Sequence, residues 1–201
     1  VAEGRLLPTA QGDARVYVHA ADRPHLTLVL QPGASGKLDA ADLQTLAAHL
    51  PGQGVTVVLL EPPFAVAGKR LAPRPVALDE ALAEVVPQLA IGTPLVVGGR
   101  SAGARSSCRS ALAVGAVGCL CLAFPLHPPG KPEKSRQAEL LGAGVPTLVV
   151  QGERDAFGGP GEFPPLPATT ELVAVPGATH SLARPEAVLL AVTSWLPGIN
   201  T

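Results

Sequence analysis

The chain has 201 residues and a mass of 20.3 kDa, the size of one ordinary domain. Hydrophobic residues make up 47% and charged residues only 15%, which excludes intrinsic disorder and supplies a large core. Fifteen Lys and Arg against sixteen Asp and Glu leave a net charge of −1, so no overall field exists to hold nucleic acid or an anionic membrane surface.

From the N-terminus, VAEGRLLPTA lacks a basic segment followed by a hydrophobic stretch, so no leader is expected. Residues 15–19, Arg-Val-Tyr-Val-His, alternate like a half-exposed edge strand. Further strands are expected at 26–30, 55–60, 95–98, 119–124, 147–151 and 171–175, seven in all. Five of these are almost continuously apolar, the pattern of strands covered on both faces in a parallel sheet. Between them lie helical spacings: Leu38, Leu43, Leu46 and Leu50, then Leu78, Leu82, Val85, Val86 and Leu89. Further helices are expected at 101–114, 134–141 and 185–195. The 22 Gly and 22 Pro fall mostly between these elements, where they punctuate turns. Alternation of strand and helix, with right-handed crossovers, predicts an α/β fold: a three-layer sandwich with a mostly parallel seven-stranded sheet, in a single domain over residues 1–201.

The longest apolar run, 119–124, is far short of the roughly 20 residues that cross a bilayer. A soluble, cytoplasmic protein without membrane association is expected. Cys119 and Cys121 occupy alternate positions of one strand and point the same way. With Cys108 they make three, and no second ligand pair with zinc-site spacing accompanies them. Reduced core thiols are expected, with no metal and no cofactor.

In this architecture functional side chains gather at the carboxyl ends of the strands. After the strand at 95–98 comes Gly99-Arg100-Ser101-Ala102-Gly103, then an alanine-rich helical segment. Small residues two places either side of Ser101 suit a chain that reverses so sharply that strand and helix nearly touch, leaving the hydroxyl exposed on a strained turn. A serine nucleophile also needs a base and a carboxylate that orients it, in the order Ser, Asp, His. The sixth strand runs into Gly152-Glu153-Arg154-Asp155, and the seventh into Pro176-Gly177-Ala178-Thr179-His180. The separations, 54 residues from Ser101 to Asp155 and 25 more to His180, match two further crossovers and then one more strand. Asp155 is the expected acid, with Glu153 ranked behind it. Acyl transfer needs backbone N–H groups aimed at the developing oxyanion, and Ala102 supplies one. The glycine-rich loop Gln31-Pro32-Gly33-Ala34-Ser35-Gly36 supplies the other, from Ala34 with Ser35 behind it.

These motifs, PGASG, GGRSAGAR, FPLHPPGKPEKSR, QGERDAFG and PGATHSL, resemble the α/β-hydrolase superfamily over essentially the whole chain. The likeness is closer to small lid-less bacterial hydrolases related to dienelactone hydrolase. It implies Ser101 as nucleophile, His180 as general base and then acid, and Asp155 as its orienter. It departs at Pro32, where that group usually carries histidine. The expected activity is cleavage of a small carboxylic ester or thioester through an acyl-enzyme; the alternative is a non-catalytic binding or scaffold protein, which Pro32 and the compact loops motivate. The short proline-rich stretch 125–134 leaves no room for a lid. Arg100 and His127 have the best claim among the nearby basic residues to face a pocket and attract an anionic substrate group; Phe157 is among the aromatics that follow strands.

Overall fold

Residues 3–71 and 74–199 are described by a computed structural model. Their strands are β1 (Gly4–Leu7), β2 (Ala14–His19), β3 (Leu26–Gln31), β4 (Val55–Glu61), β5 (Leu95–Arg100), β6 (Gly118–Leu122), β7 (Thr147–Gly152) and β8 (Thr170–Val175). The helices are α1 (Ala41–His49), α2 (Pro63–Val66), α3 (Ala77–Val85), α4 (Ala102–Ser110), α5 (Gln137–Leu141) and α6 (Pro185–Trp195). The strands form one sheet in the order β1-β2-β4-β3-β5-β6-β7-β8. From β4 to β8 all pairings are parallel, while β2 pairs antiparallel with both β1 and β4.

Alternate residues of the central strands feed two cores, one on each face of the sheet. Leu28 and Leu30 pack with Leu43 and Leu46 of α1 and with Val188 and Val192 of α6. Val29, between them, packs on the other side with Leu82 and Val85 of α3 and with Ala104 and Cys108 of α4. Every residue of β3, β6 and β7 is buried, which accounts for their almost continuous apolar runs.

Among the described residues the sheet has eight strands, one more than the sequence suggests. The extra strand, β1, reads Gly-Arg-Leu-Leu and lies at the sheet edge with its first three residues exposed, so neither alternation nor β-branched residues announce it. β6 stops at Leu122 rather than 124 because Ala123 takes a left-handed conformation, φ 48°. The helix expected at 134–141 shortens to α5, preceded by a 3₁₀ turn at Pro132–Lys134. From β3 the chain crosses through α1 to β4 on one side, then returns through α3 to β5 on the other. That reversal places the carboxyl ends of β3 and β5 side by side at the switch point where ligands bind in open α/β sheets.

Candidate active site

Ser101 follows β5 directly and immediately precedes α4. Its amide extends the sheet by donating to the Leu122 carbonyl at 2.9 Å, yet its φ of 55° is one a serine rarely adopts. Tight packing enforces this turn. A Cβ on Gly103 would lie 2.5 Å from the Pro32 carbonyl oxygen, and one on Gly99 would lie 2.7 Å from the Gly103 backbone, so only glycine lets α4 approach β3 and β5 this closely.

Asp155 lies three residues beyond β7, fully buried at its side chain. Its Oδ1 accepts the Phe157 N–H at 2.8 Å, and its Oδ2 accepts from Gln151 Nε2 at 3.0 Å. His180 lies five residues beyond β8. Its Nδ1 is 2.8 Å from Asp155 Oδ2 and its Nε2 is 2.9 Å from Ser101 Oγ. Three side chains drawn from the ends of three strands thus form one hydrogen-bonded chain. The Phe157 ring lies against the imidazole with centroids 4.4 Å apart, which restrains the ring plane from the side. Glu153, the competing carboxylate, instead accepts the Gly177 amide at 2.7 Å and buttresses the turn before His180.

The loop after β3 folds into a turn closed by the Gly36 amide on the Gly33 carbonyl, leaving Ala34 and Ser35 exposed at its centre. Gly33 abuts the serine: a Cβ there would stand 3.7 Å from Ser101 Cβ. Pro32 is buried, with its carbonyl against Gly103. Ala102 is the first residue of α4, so its amide has no carbonyl within the helix to bond. Both candidate oxyanion donors therefore stand on the segments that flank Ser101.

Arg100 and His127, the two expected substrate contacts, both have partners within the protein. Arg100 is partly exposed, and Nε donates to Asp42 Oδ2 at 3.0 Å and Nη2 to the His180 carbonyl at 2.6 Å. His127 is buried, with Nδ1 3.0 Å from the Pro128 carbonyl and Nε2 3.0 Å from Glu162 Oε2. Those contacts staple the 125–134 loop to the turn at Pro160–Glu162. They raise the His127 pKa above its ordinary value, the Pro128 carbonyl most and Glu162 next, while the Gly159 amide and His127 lower that of Glu162. Partners 58 and 35 residues away in sequence claim side chains that local reading leaves free.

Sequence reading also misses Gln151. It is buried at the end of β7, with Nε2 within reach of Asp155 Oδ2, the Gly158 carbonyl at 2.7 Å and the Phe124 carbonyl at 3.2 Å. An uncharged polar residue closing an otherwise apolar strand, four places before the acid, is the available signal.

Cys108 of α4 joins Cys119 and Cys121 behind the turn, with sulfurs 3.3 to 3.9 Å apart and all three buried. Hydrogen bonding among the thiols, with burial, pushes Cys108 and Cys121 well above the usual range.

The family profile described as an alpha/beta hydrolase domain matches residues 24–190. No curated protein matches the chain. Among solved structures, the chain is similar to XC6422 from Xanthomonas campestris, described as an a/b serine hydrolase without lid, at 20% identity and TM-score 0.77, over 98% of this chain and 95% of that one. An alpha-beta serine hydrolase homologue from Coxiella burnetii shows 21% identity and TM-score 0.78 over 96% of each chain. Est1E from Butyrivibrio proteoclasticus shows 15% identity and TM-score 0.74 over 98% of each. At these identities the likeness to solved structures speaks for the fold. Among the described residues no helix is long and apolar enough to cross a membrane.

Proposed function

The chain belongs to the α/β-hydrolase family, and from that premise we propose that it is a serine hydrolase cleaving small carboxylic esters or thioesters through an acyl-enzyme. The observation that carries this reading is the unbroken hydrogen-bonded chain from Asp155 through His180 to Ser101. Asp155, an acceptor only, fixes the proton on Nδ1 and so leaves Nε2 free to accept another. Ser101 Oγ attacks the carbonyl carbon as its proton passes to Nε2. The carbonyl oxygen becomes an oxyanion facing the N–H groups of Ala102 and Ala34. Collapse expels the alcohol or thiol, which takes the proton from Nε2, and leaves an acyl ester on Ser101. Water repeats the sequence: its proton goes to Nε2, the oxyanion forms again, and collapse returns the proton to Ser101 and releases the acid. Asp155 stays ionised throughout and stabilises the imidazolium.

The preference for small substrates follows from the loops. The connection from β6 to α5 contains only the 3₁₀ turn at Pro132–Lys134, with no helical insertion to cap a long acyl chain. A scaffold role predicts Ser101 and His180 out of reach of one another; their contact of 2.9 Å favours catalysis. The test is a panel of short-chain, aromatic and long-chain p-nitrophenyl esters with acyl thioesters alongside. The expected result is turnover of short acyl groups that disappears in a folded Ser101→Ala variant. Inactivity of the folded wild type across the panel, or equal activity of Ser101→Ala, contradicts the reading.

A further inference from the structure

We propose that Asp42 and Arg100 form a positioning clamp that holds the His180 loop in register with the serine turn. The inference rests on the catalytic reading of Ser101 and His180 above.

Arg100 is the last residue of β5 and immediately precedes Ser101. From there its side chain reaches two other elements. Nε donates to Oδ2 of Asp42, in the first turn of α1, and Nη2 donates to the backbone carbonyl of His180. One guanidinium therefore ties the residue before the nucleophile to the residue that carries the base. Its planar fork holds both acceptors at once, whereas a lysine ammonium, a point charge on a flexible stem, does not present two donors in fixed directions.

The loop it braces needs bracing. Between β8 and α6 the chain makes short turns, with the Ala178 amide on Val175, Leu182 on Thr179 and Arg184 on Leu182, and its tethers to the β7 loop, from Glu153 and Arg154, engage Gly177 and Ala178, before His180. Leu182 takes a left-handed φ of 45°, and Thr179 and Ser181 on either side of His180 are exposed. The imidazole is held by Asp155 at one end and by Phe157 on a face, while the Arg100 contact fixes its backbone.

Asp42 supports the reading by where it sits. Its side chain is fully buried, Oδ2 faces Arg100, and Oδ1 accepts the adjacent Leu43 amide at 2.8 Å. Burial raises its pKa above the ordinary value, outweighing the opposing pull of Arg100. A folded-state pKa above the unfolded one means that the ionised carboxylate opposes folding once the pH has risen through it. The buried carboxylate holds the guanidinium by Nε, and in that orientation Nη2 meets the His180 carbonyl.

The test compares Asp42→Asn, Arg100→Gln and the double variant with wild type and Ser101→Ala. It follows hydrolysis of p-nitrophenyl acetate, inactivation by a fluorophosphonate and thermal unfolding. A base displaced by a fraction of an ångström loses rate rather than binding. The expected result is a fall of about 10- to 100-fold in kcat and in the maximal inactivation rate for each single variant, with KM and the inhibitor constant within about twofold. Asp42→Asn leaves either Arg100 Nε or the Leu43 amide without its acceptor and is expected to lose about 1–3 kcal/mol of stability while staying folded at the assay temperature. The double variant is expected to be no slower than Arg100→Gln, since Asp42 acts through Arg100. Folded variants with wild-type rates, or losses that multiply in the double variant, overturn the clamp while leaving the triad standing. A wild type that neither hydrolyses ester nor reacts with the probe overturns the catalytic reading, and the clamp with it.

Discussion

Replacing Asp155 by asparagine tests the hydrogen-bonded chain at its least visible member. Three donors converge on this carboxylate: His180 Nδ1 at 2.8 Å and Gln151 Nε2 at 3.0 Å on Oδ2, and the Phe157 amide at 2.8 Å on Oδ1. Asparagine is nearly isosteric but offers one oxygen and an NH₂ group. If the NH₂ faces His180 it donates to Nδ1, drives the imidazole proton onto Nε2, and leaves the base unable to accept the Ser101 proton; it also faces Gln151 Nε2 donor to donor. If the NH₂ faces Phe157, it opposes a backbone N–H. One buried donor loses its acceptor either way, at a cost of about 1–3 kcal/mol in stability. The arrangement that keeps the Phe157 bond yields the wrong tautomer, for which a loss of about 10⁴ in kcat is expected, or about 5.4 kcal/mol of barrier. Steady-state hydrolysis of the best ester in the panel, with thermal unfolding on the same samples, measures both. A folded Asp155→Asn enzyme that keeps more than about a tenth of the wild-type kcat refutes the assigned role of Asp155.

Other expectations are simpler. Gly103→Ala places a methyl group 2.5 Å from the Pro32 carbonyl and 2.7 Å from that of Gln31, backbone atoms that cannot swing aside. A loss of about 1–3 kcal/mol in urea unfolding should accompany a fall in activity, and wild-type values for both contradict the close-packing argument. For His127→Gln the sign follows from the raised imidazole pKa: the proton contributes stability fully below the ordinary value of 6.5 and loses it as the pH rises through the raised one. Glu162, lowered from 4.5, contributes above that value and loses it as the pH falls through the lowered one. The stability difference between wild type and His127→Gln should therefore peak between about pH 4.5 and 6.5 and shrink at alkaline pH; a pH-independent difference in unfolding temperature contradicts it.

Much of the fold is legible because a parallel sheet buried on both faces leaves continuous apolar runs. Such runs alone mark β3, β4, β5, β6 and β7, to within a residue or two at their ends. β1 is invisible to them, because an exposed four-residue edge strand places almost no demand on side-chain type. The positions of Ser101, Asp155 and His180 are legible for a related reason: topology carries strand ends to one rim, so residues just past them meet whatever their separation in sequence. Side-chain direction is the blind spot. Arg100 and His127 look free because nothing near them in sequence would engage them, yet Asp42 and Glu162 arrive from other layers of the fold. Gln151 escapes notice because a buried glutamine is visible as a functional support only once its neighbours are known.

Whether its neighbours make Ser101 a reactive nucleophile is measured most directly by intact-mass analysis of the folded protein after reaction with a fluorophosphonate, followed by peptide mapping of the adduct. One adduct per chain on Ser101, absent from Ser101→Ala and slowed at least about a hundredfold in a folded His180→Ala variant, is the predicted result. An unmodified wild-type chain, or an adduct that forms equally fast without the imidazole, contradicts it.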